Sequence, residues 1–173
     1  DDKNAAALDF DVRAIDFVVI THAHIDHSGL LPRLAARGFS GPVYATPATI
    51  DLLGVMLPDS AHIHEMEFAR AHEVELRHGR RGTRFPHRGG PRRDPVVAPL
   101  YTVADAQRSL SLLVPVAYDR LFEPKASIRF RFRDAGHILG SSIVELWADI
   151  EAGTRKLVFS GDLGQPGRPV MDD

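Results

Sequence analysis

Three histidines and one aspartate fall within six residues of this chain. They are His22, His24, Asp26 and His27, in the stretch Thr21-His22-Ala23-His24-Ile25-Asp26-His27-Ser28-Gly29. His22 and His24 are two apart. In an extended segment alternate side chains point the same way, so both imidazoles can meet one ion. Asp26 and His27 follow at the turn into a helix, where they can face a second ion. Two further donors come late, His137 and Asp162, each just past an expected strand. If those strands share one sheet, their ends converge on one edge. The six residues offer nitrogen and oxygen only, a set that suits zinc and also accepts manganese or iron. The division that follows gives His22, His24 and His137 to a first ion and Asp26 and His27 to a second, with Asp162 bridging. Two ions about 3.5–4 Å apart generate a hydroxide near neutral pH and clamp the oxygens of a displacement. The second ion then has three protein ligands, and no histidine follows Asp162.

The elements around these residues must position them. Phe17-Val18-Val19-Ile20 is wholly apolar and reads as a buried strand. Leu30 to Arg37 reads as a helix that stops at Gly38, with Ser28 as its cap and Pro32 in its first turn. Pro42-Val43-Tyr44-Ala45 is a second strand. The strand–helix–strand order favours parallel pairing. The polar loop thus sits at the carboxyl end of a strand, where open α/β sheets place their ligands. Thr46 can cap a helix from Pro47 to about Leu57, and a second helix is expected from Ser60 to about Leu76. Thr102 with Asp105 resembles a capping box for a helix from Val103 to Leu113. From Ser127 the period becomes two. Ile128, Phe130 and Phe132 alternate with Arg129, Arg131 and Arg133, as in a half-buried strand. Ser142–Trp147 and Leu157–Ser160 read as further strands, with a turn near Gly153.

The bland readings differ between residues. His137 or Asp162 alone reads as a satisfied polar residue, and Gly161-Asp162 as a turn. The loop at 22–27 resists that treatment, because three histidines and an acid at this spacing serve no packing purpose. His62, His64, His72, His78 and His87 read as helix surface or loop. Residues 77–99 hold seven arginines against one acid, Asp94, with four glycines and four prolines. They read as a basic loop, more a solvated insertion than a binding surface.

Composition narrows the rest. The 173 residues are enough for one domain with its own core. With 44% hydrophobic and 25% charged residues, the chain has the make-up of a soluble globular protein. A net charge of −2 gives no global field for nucleic acid. The absence of cysteine excludes disulfides, thiolate zinc sites and cysteine nucleophiles, and suits a cytoplasmic protein. No apolar run is long enough to span a membrane, and no signal peptide is visible. A Walker phosphate loop, a Gly-x-Ser-x-Gly elbow, a dinucleotide fingerprint and the His-Glu-x-x-His helix are all missing, so no nucleotide cofactor is expected.

The loop resembles the His-x-His-x-Asp-His signature of the metallo-β-lactamase superfamily. The flanking phrases narrow the resemblance. Leu30-Leu31-Pro32, Asp134-Ala135-Gly136-His137-Ile138-Leu139-Gly140-Ser141 and Phe159-Ser160-Gly161-Asp162-Leu163-Gly164 are similar to the β-CASP branch, RNA-processing nucleases related to the cleavage and polyadenylation endonuclease and to RNase J. Pro99-Leu100-Tyr101-Thr102 is similar to bacterial members. The resemblance implies an α/β fold, the αββα sandwich, with two zinc ions and phosphodiester hydrolysis of RNA by a metal-bound hydroxide. It makes His22, His24, Asp26 and His27 the second family motif, His137 the third and Asp162 the fourth. Asp26 would both ligate and orient the nucleophile. Gly140 and Ser141 are candidate phosphate contacts through their backbone amides. The family's opening hairpins and inserted β-CASP domain are absent, and with them the last histidine ligand. Residues 1–173 are therefore expected to be a partial metallo-β-lactamase domain. Two other readings stand beside a ribonuclease. One is another hydrolase of the superfamily: a lactonase, a glyoxalase II-type thioesterase or a β-lactamase. The other is a non-catalytic metal-binding or interaction module.

Overall fold

A computed structural model describes residues 8–80 and 98–165. The basic loop expected over 77–99, with His87, falls largely outside those residues. The chain enters through a 3₁₀ turn, Val12–Ala14, capped by the Asp11 carboxylate, which accepts from the Arg13 amide. Then come β1 (Val18–Val19), α1 (Ile25–Ser28), α2 (Leu31–Ala36), β2 (Val43–Ala45) and α3 (Pro47–Arg80). The second half carries α4 (Val103–Leu110), β3 (Leu113–Pro115), β4 (Phe122–Lys125), β5 (Ile128–Asp134), β6 (Ser142–Ile150) and β7 (Gly153–Phe159).

The strands form two sheets. The first is parallel, in the order β1-β2-β3, and the second antiparallel, in the order β4-β5-β6-β7. The first sheet is covered on both faces, and its side chains alternate between two cores. Val18, Val43, Ala45 and Leu113 pack with Leu31, Leu53, Leu57, Ala61 and Ala106 of the helices. Val19, Tyr44 and Val114 pack against the second sheet with Phe130, Phe132 and Val144. The Tyr44 ring stands 4.9 Å from Phe122 and 5.5 Å from Phe130. Helices, parallel sheet and antiparallel sheet thus make three layers of the expected αββα sandwich among the described residues.

Alternation on β5 sends Phe130 and Phe132 inward, both fully buried. Its arginines face outward and pair with acids: Arg129 with Asp149, Arg131 with Glu145, and Arg133 with Asp119. β7 is an edge strand and stays exposed along its whole length, including Leu157, Val158 and Phe159.

Four expectations are corrected. The helices expected on either side of Pro58 are one helix, α3. Leu53, Leu57 and Ala61 recur every four residues across the proline and are all fully buried, so packing holds the helix through it. The α4 helix ends at Leu110, and Leu113–Pro115 is a strand bonded along β2. Strand β4 has no counterpart among the expected elements. Ser28 does not cap the following helix: it closes α1, and its buried hydroxyl lies 2.9 Å from the carbonyls of Ala23 and His24. The capping box of Thr102 and Asp105 is formed as expected. No helix of the described residues is long and apolar enough to cross a membrane.

The packing between the sheets generates a direct prediction. Phe130→Ala is expected to cost ~3–5 kcal/mol of unfolding free energy in denaturant titration, because it empties a fully buried site between three rings. A loss below about 1 kcal/mol would mean that the two sheets do not depend on this contact.

Candidate metal centre

The backbone brings the six candidate residues together from three segments and two sheets. The loop Thr21–His24 leaves β1 of the parallel sheet, whereas His137 follows β5 and Asp162 follows β7 of the antiparallel sheet. The expected shared edge for His137 and Asp162 is that of the antiparallel sheet, and the histidine loop meets it from the abutting edge of the parallel sheet. Because β6 runs antiparallel between them, β5 and β7 end on the same side. The first residue of β6, Ser142, donates both its amide and its hydroxyl to the Thr21 carbonyl, each at 2.8 Å. That pair of bonds joins the sheets beside the histidine loop.

Two more contacts set the distant residues. Ser141 Oγ accepts the amides of His137 at 3.0 Å and Ile138 at 3.2 Å, tying the loop into a compact turn. The Gly164 amide donates to the Ala135 carbonyl at 2.8 Å. A Cβ at 164 would come within 1.5 Å of the Gly136 carbonyl oxygen, so only glycine lets the Asp162 segment lie this close to the His137 segment.

The result is a tight polar cluster. His22, His24, His137 and Asp162 each present one ligand atom within 4.8 Å of all the others. His22 Nε2 is 3.1 Å from His24 Nδ1, and His137 Nε2 is 3.3 Å from the same atom. Asp162 Oδ2 is 3.5 Å from His137 Nε2 and 3.8 Å from His22 Nε2. The other oxygen, Oδ1, is 3.4 Å from His27 Nε2. Asp26 stands beyond His27, with Oδ2 at 3.7 Å from its Nε2, and its side chain is 74% exposed. One Asp162 oxygen thus faces His137 and His22, and the other faces His27.

The donor set fits a divalent cation. A neutral imidazole has one N–H and one lone pair, and His24 Nδ1 faces two ring nitrogens at once. No pattern of hydrogen bonds among the rings satisfies both contacts as well as Asp162. Ligands at about 2.0–2.1 Å around a tetrahedral zinc stand roughly 3.4 Å apart, close to the spacings observed here. His22 Nδ1 lies 3.1 Å from the Thr21 hydroxyl, a contact that holds the ring with Nε2 turned to the cluster. Burial holds the His22 imidazole below its ordinary value of 6.5, and the neighbouring His27 and His24 push the same way. A neutral, buried imidazole is the form that binds a metal.

Gly140 and Ser141 are placed as internal supports. Both are buried, and the Ser141 amide donates to the Ile138 carbonyl at 2.9 Å. Sequence reading missed Tyr118, whose hydroxyl donates to the Ser141 carbonyl at 2.7 Å. A lone tyrosine between two strands carries no local signal for a contact 23 residues away.

The chain is similar to several known proteins. Residues 3–108 match the family model of the β-lactamase superfamily domain. A ribonuclease of Thermus thermophilus is 30% identical over 171 residues, covering 99% of this chain and 31% of that protein. Transcription termination factor FttA of Methanosarcina mazei is 33% identical over 153 residues, covering 88% of this chain and 19% of that factor. The chain therefore spans a third or less of the length of these curated relatives. Among solved structures, the metallo-β-lactamase SMB-1 bound to 2-mercaptoethanesulfonate aligns at a TM-score of 0.49 and 16% identity, over 87% of this chain and 44% of that one.

Tyr118 provides a pH test of the loop. Burial pushes its phenol up from 10.0 to about 12, with the Asp134 charge adding to the effect. Between those values the unfolded chain releases the proton and the folded chain keeps it. Stability present below pH 10.0 is thus lost as pH rises through this window. Unfolding free energies measured below and within the window should fall less in Tyr118→Phe than in the parent. Equal falls would mean that the phenol is not buried in this contact.

Proposed function

This chain belongs to the β-lactamase superfamily, and on that footing we propose that it is the metal-holding part of a ribonuclease that hydrolyses RNA phosphodiesters. The observation that carries the reading is the convergence of His22, His24, His137 and Asp162 from two sheets onto one point. Residues 1–173 are read as part of a metallo-β-lactamase domain of a cytoplasmic enzyme. The two relatives, a ribonuclease and a transcription termination factor, favour RNA over other substrates.

In this reading His22, His24, His137 and Asp162 hold a first zinc ion. Asp162 Oδ1, His27 and Asp26 hold a second, and manganese or iron can take the same donors. Bound there, the ions supply Lewis acidity that lowers the pKa of water and neutralises charge on a phosphoryl oxygen.

The chain's own residues do the rest. The Thr21 hydroxyl holds the His22 ring through Nδ1, and His22 itself shields the floor of the site from water, being fully buried. Asp162 spans both halves with its two oxygens. Asp26, the most exposed of the six, would orient the attacking water from the open side of the cluster.

In the full-length protein, RNA cleavage should stop on chelation and return with added zinc. Asp162→Asn and His22→Ala should each reduce cleavage by more than the ~10–100-fold typical of losing a ligand's support. Cleavage retained without metal would exclude this function. Preference for a lactone, thioester or β-lactam over RNA would reassign the substrate while keeping the site.

A further inference from the structure

We propose that Thr46 and Thr49 are positioning residues for the metal centre: their two hydroxyls grip the Gly140 carbonyl and so set where the His137 imidazole stands. The inference rests on the metal-centre reading above.

Thr46 follows β2 directly, and Thr49 lies in the first turn of α3. Both side chains are fully buried. Thr46 Oγ1 is 2.7 Å from the Gly140 carbonyl oxygen and Thr49 Oγ1 is 2.8 Å from it. The two hydroxyls are 3.0 Å apart, and Thr46 Oγ1 also receives the Thr49 amide at 3.3 Å. A carbonyl oxygen has two lone pairs, and each hydroxyl has one proton. Both protons therefore have a place on the same oxygen, and two donors from different directions fix the orientation of the 140–141 peptide. The glycine is fitted to this cradle. Its φ is +80°, and a Cβ there would come within 2.5 Å of the Thr49 nitrogen.

The grip is transmitted over a short path. The peptide held at Gly140 leads straight into Ser141, whose Oγ takes the amides of His137 and Ile138. Any tilt of the 140–141 peptide displaces those amides and the ring attached to them. His137 Nε2 has little room for error, facing His24 Nδ1 at 3.3 Å and Asp162 Oδ2 at 3.5 Å. Helix capping alone does not account for the pair. Capping requires only the Thr46 oxygen, whereas the bonds to Gly140 cross 94 and 91 residues of sequence to the other sheet. Valine would fill the same space without a hydroxyl, so that substitution separates the hydrogen bonds from the packing.

The test measures zinc affinity of the full chain by competition with a chromophoric chelator, alongside thermal stability. Thr46→Val/Thr49→Val should bind its tightest zinc ~10–100-fold more weakly, the usual effect of removing support behind a ligand. Thr46→Ser/Thr49→Ser keeps both hydroxyls and should bind as the parent does. His137→Ala serves as the reference. If His137→Ala weakens zinc but the valine pair does not, the cradle is only structural and the inference is wrong. It is equally wrong if the serine pair is as weak as the valine pair. If His137→Ala leaves zinc affinity unchanged, the metal-centre reading itself fails and the inference falls with it. Should the valine pair not fold, Thr49→Val alone, which leaves the Thr46 cap in place, must weaken zinc in the same direction. Parent affinity in that variant overturns the proposal.

Discussion

Everything in the centre depends on the Thr21 carbonyl receiving two hydrogen bonds from Ser142. Thr21 closes the strand that delivers His22 and His24. Ser142 opens the strand that follows the His137 loop. Apolar packing between the two sheets is non-directional and by itself tolerates sliding. Hydrogen bonds are directional, and two donors on one carbonyl fix register as well as distance. Packing around Tyr44, Phe130 and Phe132 brings the sheets together, and the Ser142–Thr21 bonds decide how they align.

That alignment creates an unfavourable cluster by ordinary standards. Imidazole nitrogens at 3.1 and 3.3 Å cannot all satisfy one another, and burial already disfavours charge on His22. A fold tolerates such a place when its binding partner relieves it, which is the logic of strain kept at functional sites. A divalent cation converts competing lone pairs into ligands. The asymmetry of exposure has a matching logic. His22 is the buried floor, whereas Asp26 stands open to solvent, so the cluster has one closed side and one open side.

Local chemistry is legible in the sequence, and long-range contact is not. The loop at 22–27 stands out because all four donors are neighbours in the chain. The alternation of Phe130 and Phe132 with arginines on β5 is equally plain, as is the capping box at Thr102. Other features hide for physical reasons. Pro58 reads as a helix break, but the buried row Leu53-Leu57-Ala61 outweighs the lost bond. Leu113–Pro115 looks like the end of a helix until β2 supplies its ladder. Thr46 reads as a cap and is one, yet its contact with Gly140 spans 94 residues and leaves no local trace. The sequence places the convergence of His137 and Asp162 on the edge of one sheet, and β5 and β7 of the antiparallel sheet do end there together. What stays hidden is that the histidine loop comes from a second sheet, held to the first by bonds that only the folded chain reveals.

Anomalous diffraction at the zinc edge, on crystals of the metal-loaded protein, tests the central claim most directly. A peak should appear among His22 Nε2, His24 Nδ1, His137 Nε2 and Asp162 Oδ2, with a second, where occupied, on the Oδ1 side of Asp162 towards His27 and Asp26. A loaded crystal with no peak between those four atoms, or with zinc only at unrelated histidines such as His62 or His72, would contradict it.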